Sequence, residues 1–282
     1  MEEHDDRYFL TVIVSIKTAG RNKTGSFFIK GKKRGIQTVM KSTIKELLKI
    51  GLEPMGSTMY VWGGGWNETD DGAGKEARTL GVSGRWREFF RKQDAHYDYR
   101  QTRYQIHEGL DCSGYVGWCI YNLMHTKNGE EGYVMPAKKM AADFARRGWG
   151  TYFPAEKVED HCAGDIMSSN GHVYLTVGSC RDGSVVLMHS SPPGVQLSGT
   201  TDLLGRAESE AVCLAEWYMK NYFPAWHEKY PDHTRGMEYL REYSQMRWLL
   251  LDSGVISDPE GLQKRTAEKV LAEIFGKQIR EI

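Results

Sequence analysis

The clearest chemical potential in this chain lies in the run Gly109-Leu110-Asp111-Cys112-Ser113-Gly114-Tyr115-Val116-Gly117-Trp118-Cys119-Ile120-Tyr121. An acid, a cysteine, a serine and a glycine stand directly before an apolar stretch of helical length. The spacing predicts a buried helix with Cys112 at its N-terminus. Unpaired amides and the helix dipole at that end favour negative charge and lower a thiol pKa. A thiolate made that way needs a base, and two later histidines, His172 and His189, fall on strand-like segments where they can serve one. The competing reading is structural. Free cysteines are common as inert packing residues, and Asp111 or Ser113 fits a helix cap.

The segments carrying the histidines, 171–178 and 184–190, alternate apolar and polar residues at period two, and Asp182-Gly183 supplies turn chemistry between them. They read as a β-hairpin. A two-residue loop at Asp182-Gly183 sets His189 opposite Thr176, roughly 13 Å along the strand from His172 at about 3.3 Å per residue. A four-residue loop, Ser179 to Asp182, sets His172 directly opposite His189. Of these two registers, only the second lets His189 orient His172, so a linked cysteine–histidine–histidine set predicts the longer loop.

Other elements must hold this set in place. Tyr60-Val61-Trp62-Gly63-Gly64-Gly65-Trp66 contains three consecutive glycines, which suit a tight loop where backbone approaches a ligand or another segment. Residues 68–108 are polar, basic and aromatic, and read as an insertion forming a groove wall rather than a nucleic-acid surface. Helical spacing covers 38–50, with Gly51 as its stop, and 137–147. Ala163-Gly164-Asp165-Ile166-Met167 is a turn into a strand, and Val195-Gln196-Leu197 is a further short strand. Residues 7–17 and 26–30 are strand-like around a polar turn, Gly20 to Gly25, and Lys30 to Arg34 reads as a solvated basic turn. From 207 onward the pattern is helical, at 208–222, 236–251 and 262–279. These helices carry no chemical constellation and read as core-covering or partner-binding.

The 282 residues suit one large domain with extensions or two small ones, and 40% hydrophobic residues can build a core. Formal net charge is zero, which argues against a general polyanion binder. The five cysteines, Cys112, Cys119, Cys162, Cys180 and Cys213, follow no disulfide spacing and include no CxxC pair. Cys112 and Cys119 lie about 10.5 Å apart along one helix, too far for a disulfide. The start is acidic and unlike a secretory signal, and no run of eighteen apolar residues exists to span a membrane.

Four pieces in one order, Tyr60-Val61-Trp62-Gly63-Gly64, Asp111-Cys112-Ser113-Gly114, Gly164-Asp165-Ile166 with Gly171-His172-Val173, and His189-Ser190-Ser191, resemble the NlpC family of papain-like cysteine peptidases. Many of these cut bacterial peptidoglycan stem peptides. The Asp-Cys-Ser-Gly element is the most specific, and the resemblance spans residues 38–200. It implies an α+β, papain-like NlpC fold, with the nucleophile helix packed on a small antiparallel sheet. Residues 1–37 would be a strand-rich extension, 38–204 the peptidase domain with a long insertion at 66–108, and 205–282 a helical C-terminal extension. By position Cys112 matches the nucleophile, His172 the general base, His189 the residue orienting it, and Tyr60 a tyrosine that polarises the scissile carbonyl. Asp111 and Ser113 match positions that bind the free amine of a stem peptide in some relatives, and Trp62 is a further substrate-binding candidate. The implied activity is a cysteine endopeptidase acting at the γ-D-glutamyl bond to the diamino acid, without metal or organic cofactor. The family points to an extracellular or cell-wall location, while the missing signal leaves the cytoplasm open. Two alternatives stay open: an amidase, acyltransferase or toxin-like effector of the same fold, and a non-catalytic cell-wall peptide binder.

Overall fold

A computed structural model describes residues 7–18, 21–32, 41–101, 105–124 and 132–276. The chain divides into two compact units, Met1–Met40 and Lys41–Ile282. The first holds an antiparallel pair, β1 (Arg7–Thr18) and β2 (Arg21–Lys32), in register from Arg7↔Lys32 to Thr18↔Arg21. The expected turn at 20–25 is therefore a correction: the ladder runs unbroken through Asn22 to Gly25. Part of the Lys30–Arg34 cluster, up to Lys32, lies in β2, and the rest falls outside the described residues.

The second unit begins with β3 (Ser42–Thr43) and α1 (Ile44–Leu52). A capping box sets the start of α1: the Thr43 hydroxyl accepts from the Glu46 amide, and the Glu46 carboxylate accepts from the Thr43 amide. The helix therefore starts later than position 38 and continues through Gly51 to Leu52. The insertion follows with a 3₁₀ turn at Glu76–Arg78 and α2 (Gly84–Lys92). Next come α3 (Cys112–Met124), α4 (Ala137–Arg146), β4 (Gly150–Phe153), β5 (Ile166–Ser168), β6 (Val173–Ser179), β7 (Val185–Ser191) and β8 (Gly194–Thr200). The described residues end with α5 (Glu210–Tyr222), α6 (Pro224–Lys229), β9 (Thr234–Arg235), α7 (Glu238–Arg241), β10 (Ser244–Trp248), β11 (Ile256–Ser257) and α8 (Ala267–Phe275).

The architecture is mixed α and β, built on one seven-stranded sheet in the order β4-β10-β5-β6-β7-β8-β9. Its pairs are antiparallel except β8 with β9. Helix α3 is apolar on nearly every side, as a helix must be when it is covered all round. It packs on β6 and β7, under α1 and the insertion. Trp86 of α2 meets Trp118 of α3 edge-on at 6.0 Å, which fixes the insertion to the core.

Residues 205–282 are not a helical appendage. Where helical spacing was expected at 236–251, β10 instead runs through the sheet between β4 and β5, and only Glu238–Arg241 is helical. Tertiary pairing overrides the local period here, because Met246 and Trp248 are buried on the strand. Trp226 of α6 is buried and stacks on Phe90 of the insertion at 5.4 Å. Lys41–Ile282 is thus one compact unit rather than a domain with an attached tail.

The β6–β7 hairpin adopts neither expected register. Its loop runs from Cys180 to Ser184, closed by Cys180 N–H donating to Ser184 O at 2.8 Å. Beside the loop Ser179 faces Val185 and Gly178 faces Val186, but past a bulge Thr176 faces Leu187 and Leu175 faces Met188. Side chains alternate between faces with period two, so continuing the loop register would put His189 on the face away from His172. The extra residue at the bulge restores them to one face.

Candidate active site

Cys112 is the first residue of α3, and Asp111 caps that helix. Asp111 Oδ1 accepts from the Gly114 amide at 2.7 Å and from the Ser113 hydroxyl at 2.8 Å. Trp66 Nε1 donates in turn to Ser113 Oγ at 2.9 Å. The glycine loop lies directly on this helix start. Gly64 O accepts from the Asp111 amide at 2.9 Å, and a Cβ on Gly114 would come within 1.9 Å of that same oxygen. The loop is thus a close approach of backbone to backbone, with Tyr60 at its entrance. Tyr60 bridges to Leu110, its amide donates to Pro193 O at 2.8 Å, and the Ser190 hydroxyl donates to Leu110 O at 2.6 Å.

The electrostatics differ from the expectation of a lowered thiol pKa. Burial, reinforced by the Asp111 carboxylate, pushes the Cys112 thiol up to about 12. The amides of Val173, Ser113 and Cys112 itself favour the charged sulfur but do not reverse this. Desolvation disfavours a thiolate more than one helix turn of amides favours it. Burial, with Arg235 as a second cause, brings His172 down to about 3. Near neutral pH both the Cys112 thiol and the His172 imidazole are therefore uncharged. Burial raises Asp111 to about 6, opposed by hydrogen bonds from Gly114, Ser113 and Gly63. Burial and the neighbouring Cys112 sulfur raise the Tyr60 hydroxyl well above its ordinary value, so it remains a donor.

Val173 opens β6, and its amide lies against the Cys112 sulfur, so the start of β6, with His172 one residue earlier, meets the start of α3. His172 Nε2 and His189 Nδ1 are 2.9 Å apart, and His189 Nε2 is 3.0 Å from Ser198 Oγ on β8. His172 is partly exposed and His189 is fully buried. With Nε2 engaged by His189, Nδ1 of His172 is the nitrogen left to exchange a proton. If Ser198 accepts from His189 Nε2–H, His189 Nδ1 accepts from His172 Nε2–H, and His172 Nδ1 carries a lone pair.

An aromatic shell that the sequence reading missed surrounds the pair. Tyr239 lies 5.7 Å from His172 and 6.0 Å from His189 by ring centroids, and Tyr243 lies 6.4 Å from His172. Tyr174 donates to Tyr239 O at 2.6 Å. Tyr174 was detectable as the next residue after His172 on the same strand face. Tyr239 and Tyr243, spaced four apart, looked like one face of a helix. Ser198 carried no signal of its own.

His172 is thus joined to His189 and Tyr60 lies near the Cys112 sulfur, with Tyr239 common to both groups, facing the two imidazoles and near that sulfur. Trp62 sits on the loop and is 52% exposed. Every hydrogen bond described for Asp111 and Ser113 stays within the loop and the helix start. The insertion reaches the same place: Tyr97 donates to Tyr60 O at 2.7 Å, and the Tyr99 ring meets Tyr60 edge-on at 5.1 Å. The five cysteines are free. Among the described residues, one group has metal-ligand spacing, Cys180, Asp182 and Glu210. Its carboxylates are engaged by the Ser184, Glu210 and Arg181 amides, which join the hairpin loop to α5. No helix of the described residues is long and apolar enough to cross a membrane. Comparison of the chain with protein-family models, curated proteins and solved structures gave no match.

Proposed function

We propose that this protein is a cysteine peptidase hydrolysing amide bonds in bacterial cell-wall stem peptides, at the γ-D-glutamyl bond to the diamino acid. The observation that carries the reading is the 2.9 Å contact between His172 Nε2 and His189 Nδ1, continued to Ser198, next to a cysteine at a capped helix start. A packing cysteine requires none of this. The choice of stem peptides rests on the sequence resemblance.

In the reaction, the Cys112 thiol gives its proton to His172 Nδ1 as the sulfur attacks the amide carbonyl. Proton transfer accompanies attack, because the resting pair is neutral. The imidazolium donates from Nε2 to His189 Nδ1. Amides at the start of α3 and the Tyr60 hydroxyl stabilise the oxyanion. His172 returns its proton to the leaving amine as the C–N bond breaks, leaving a thioester. Water, deprotonated by His172, adds to the thioester carbonyl, and the C–S bond then breaks to release the acid and restore the thiol. Asp111 and Ser113 serve by holding the nucleophile rather than by binding the substrate amine. Trp62, Tyr97 and Tyr99 supply aromatic surface for an extended substrate.

The test is a mass-spectrometric digest of defined tripeptide and tetrapeptide stems, with and without attached sugar, by the protein and by Cys112→Ala. Cleavage by the unaltered protein alone, with fragment masses naming the γ-D-glutamyl bond, supports the proposal. Intact stems with a reactive Cys112 would redirect it to another amide or ester.

A further inference from the structure

Arg235 lies four residues before Tyr239, whose ring faces both imidazoles, and among the described residues no carboxylate pairs with it. It ends β9 at the sheet edge, paired with Thr200 of β8, and its carbonyl accepts from the Thr201 amide at 2.8 Å. The chain then crosses back from the β9 edge to β10 as the segment 236–243. This crossing carries Tyr239 to both imidazoles, at 5.7 and 6.0 Å. Arg235 is half-buried, and its described side-chain hydrogen bond runs to a neutral acceptor, from Nη1 to Thr234 O at 2.6 Å. Two acids flank it in sequence. Asp232 Oδ1 accepts from the Thr234 amide at 2.9 Å, and the Glu238 carboxylate folds back over Gly236. Among the described residues, neither these acids nor any other carboxylate pairs with the guanidinium.

A partly desolvated guanidinium is costly unless it is paired, and its planar fork matches a carboxylate bidentately. Burial is the main cause of the lowered basicity of His172 and His189, and the Arg235 charge adds to it at both. A bound anion would relieve the part that Arg235 contributes. We infer that Arg235 receives a carboxylate of the substrate, so that the acyl donors accepted by this site carry a free carboxylate near the scissile bond. The assignment rests on the cysteine-hydrolase reading above and adds a specificity-determining residue from outside the part of the chain that resembles a known family.

The test uses a matched pair of thiol reagents, N-iodoacetylglycine and its carboxamide, N-iodoacetylglycinamide. Alkylation is quantified by mass spectrometry at Cys112 and at the exposed Cys213, which serves as internal reference. At low salt the carboxylate-to-carboxamide rate ratio at Cys112 should exceed that at Cys213 by about tenfold, and high salt should shrink the excess. Arg235→Gln should bring the Cys112 ratio down to that of Cys213, while Arg235→Lys should keep part of the excess. Equal ratios at the two cysteines in the unaltered protein, or an excess that survives in a folded Arg235→Gln, would overturn the inference. Stem peptides left intact alongside a clear Arg235-dependent ratio would refute the substrate assignment and leave the carboxylate site standing. Absence of alkylation at Cys112 by both reagents would overturn the inference and the nucleophile assignment together.

Discussion

Gly114→Ala sets two effects of opposite sign against each other. The substitution adds one methyl group inside α3, where alanine is favoured over glycine by about 1 kcal/mol. That methyl would sit 1.9 Å from Gly64 O, and side-chain carbons do not approach within 3.0 Å, so the carbonyl must retreat by about 1.1 Å. The same oxygen accepts from the Asp111 amide at 2.9 Å. A retreat of that size stretches this bond to about 4 Å, beyond hydrogen-bond distance, and leaves a buried amide unpaired at about 1–3 kcal/mol. Overpacking adds about 1–3 kcal/mol. After the propensity gain, a net loss of about 3 kcal/mol follows. For a unit of this size each kcal/mol lowers Tm by about 2–4 °C, so thermal unfolding followed by circular dichroism should shift down by about 6–12 °C. Gly84→Ala is the control, since nothing lies within 4 Å of its Cβ. A Gly114→Ala protein with unchanged or higher Tm would refute the close approach of loop and helix.

Three other perturbations have defined outcomes. Ser198→Ala removes the partner that fixes the tautomer of His189 and should lower kcat on a cleaved stem about tenfold, with His189→Ala costing about a hundredfold; unchanged kcat in both would remove His189 from the mechanism. Asp111→Asn tests linkage: the folded carboxyl sits at about 6 against an ordinary 3.8, so its contribution to stability is full below pH 4 and is lost as pH rises through 6. The Tm difference between Asp111→Asn and the unaltered protein should therefore grow more positive from pH 4 to pH 7, by the equivalent of about 2–3 kcal/mol, and a flat difference would contradict the buried carboxyl. Trp226→Ala, which empties the contact between α6 and the insertion, should cost about 3–5 kcal/mol in chemical denaturation, whereas a loss under 1 kcal/mol would show the C-terminal region to be peripheral.

Local physics made part of this molecule legible in the sequence. The α3 start was visible because an acid, a small polar residue and a glycine precede an apolar run. The paired strands were visible from their alternation, and the glycine loop because three glycines rarely serve any other purpose. What escaped depended on contacts distant in the chain. The raised Cys112 pKa is not legible in the sequence because the helix start is a local feature, whereas burial against the start of β6 is not. The hairpin register was missed because a bulge leaves no mark in a period-two pattern until the partner strand is known. Residues 236–251 read as helix because Tyr239, Tyr243, Met246 and Leu250 fall at helical intervals. Their true places are set by a strand slotting between β4 and β5 and by a crossing that carries two tyrosines to His172. Arg235 was one basic residue among many until β9 brought it to the sheet edge.

The central claim is that Cys112 is a nucleophile served by His172. It is tested most directly by the rate of Cys112 carboxamidomethylation in the unaltered protein and in His172→Gln, with Cys213 as the reference in each. Loss of the base should slow Cys112 at least tenfold while leaving Cys213 unchanged. Equal Cys112 rates in the two proteins would contradict the account, because the thiol would then ionise without the histidine.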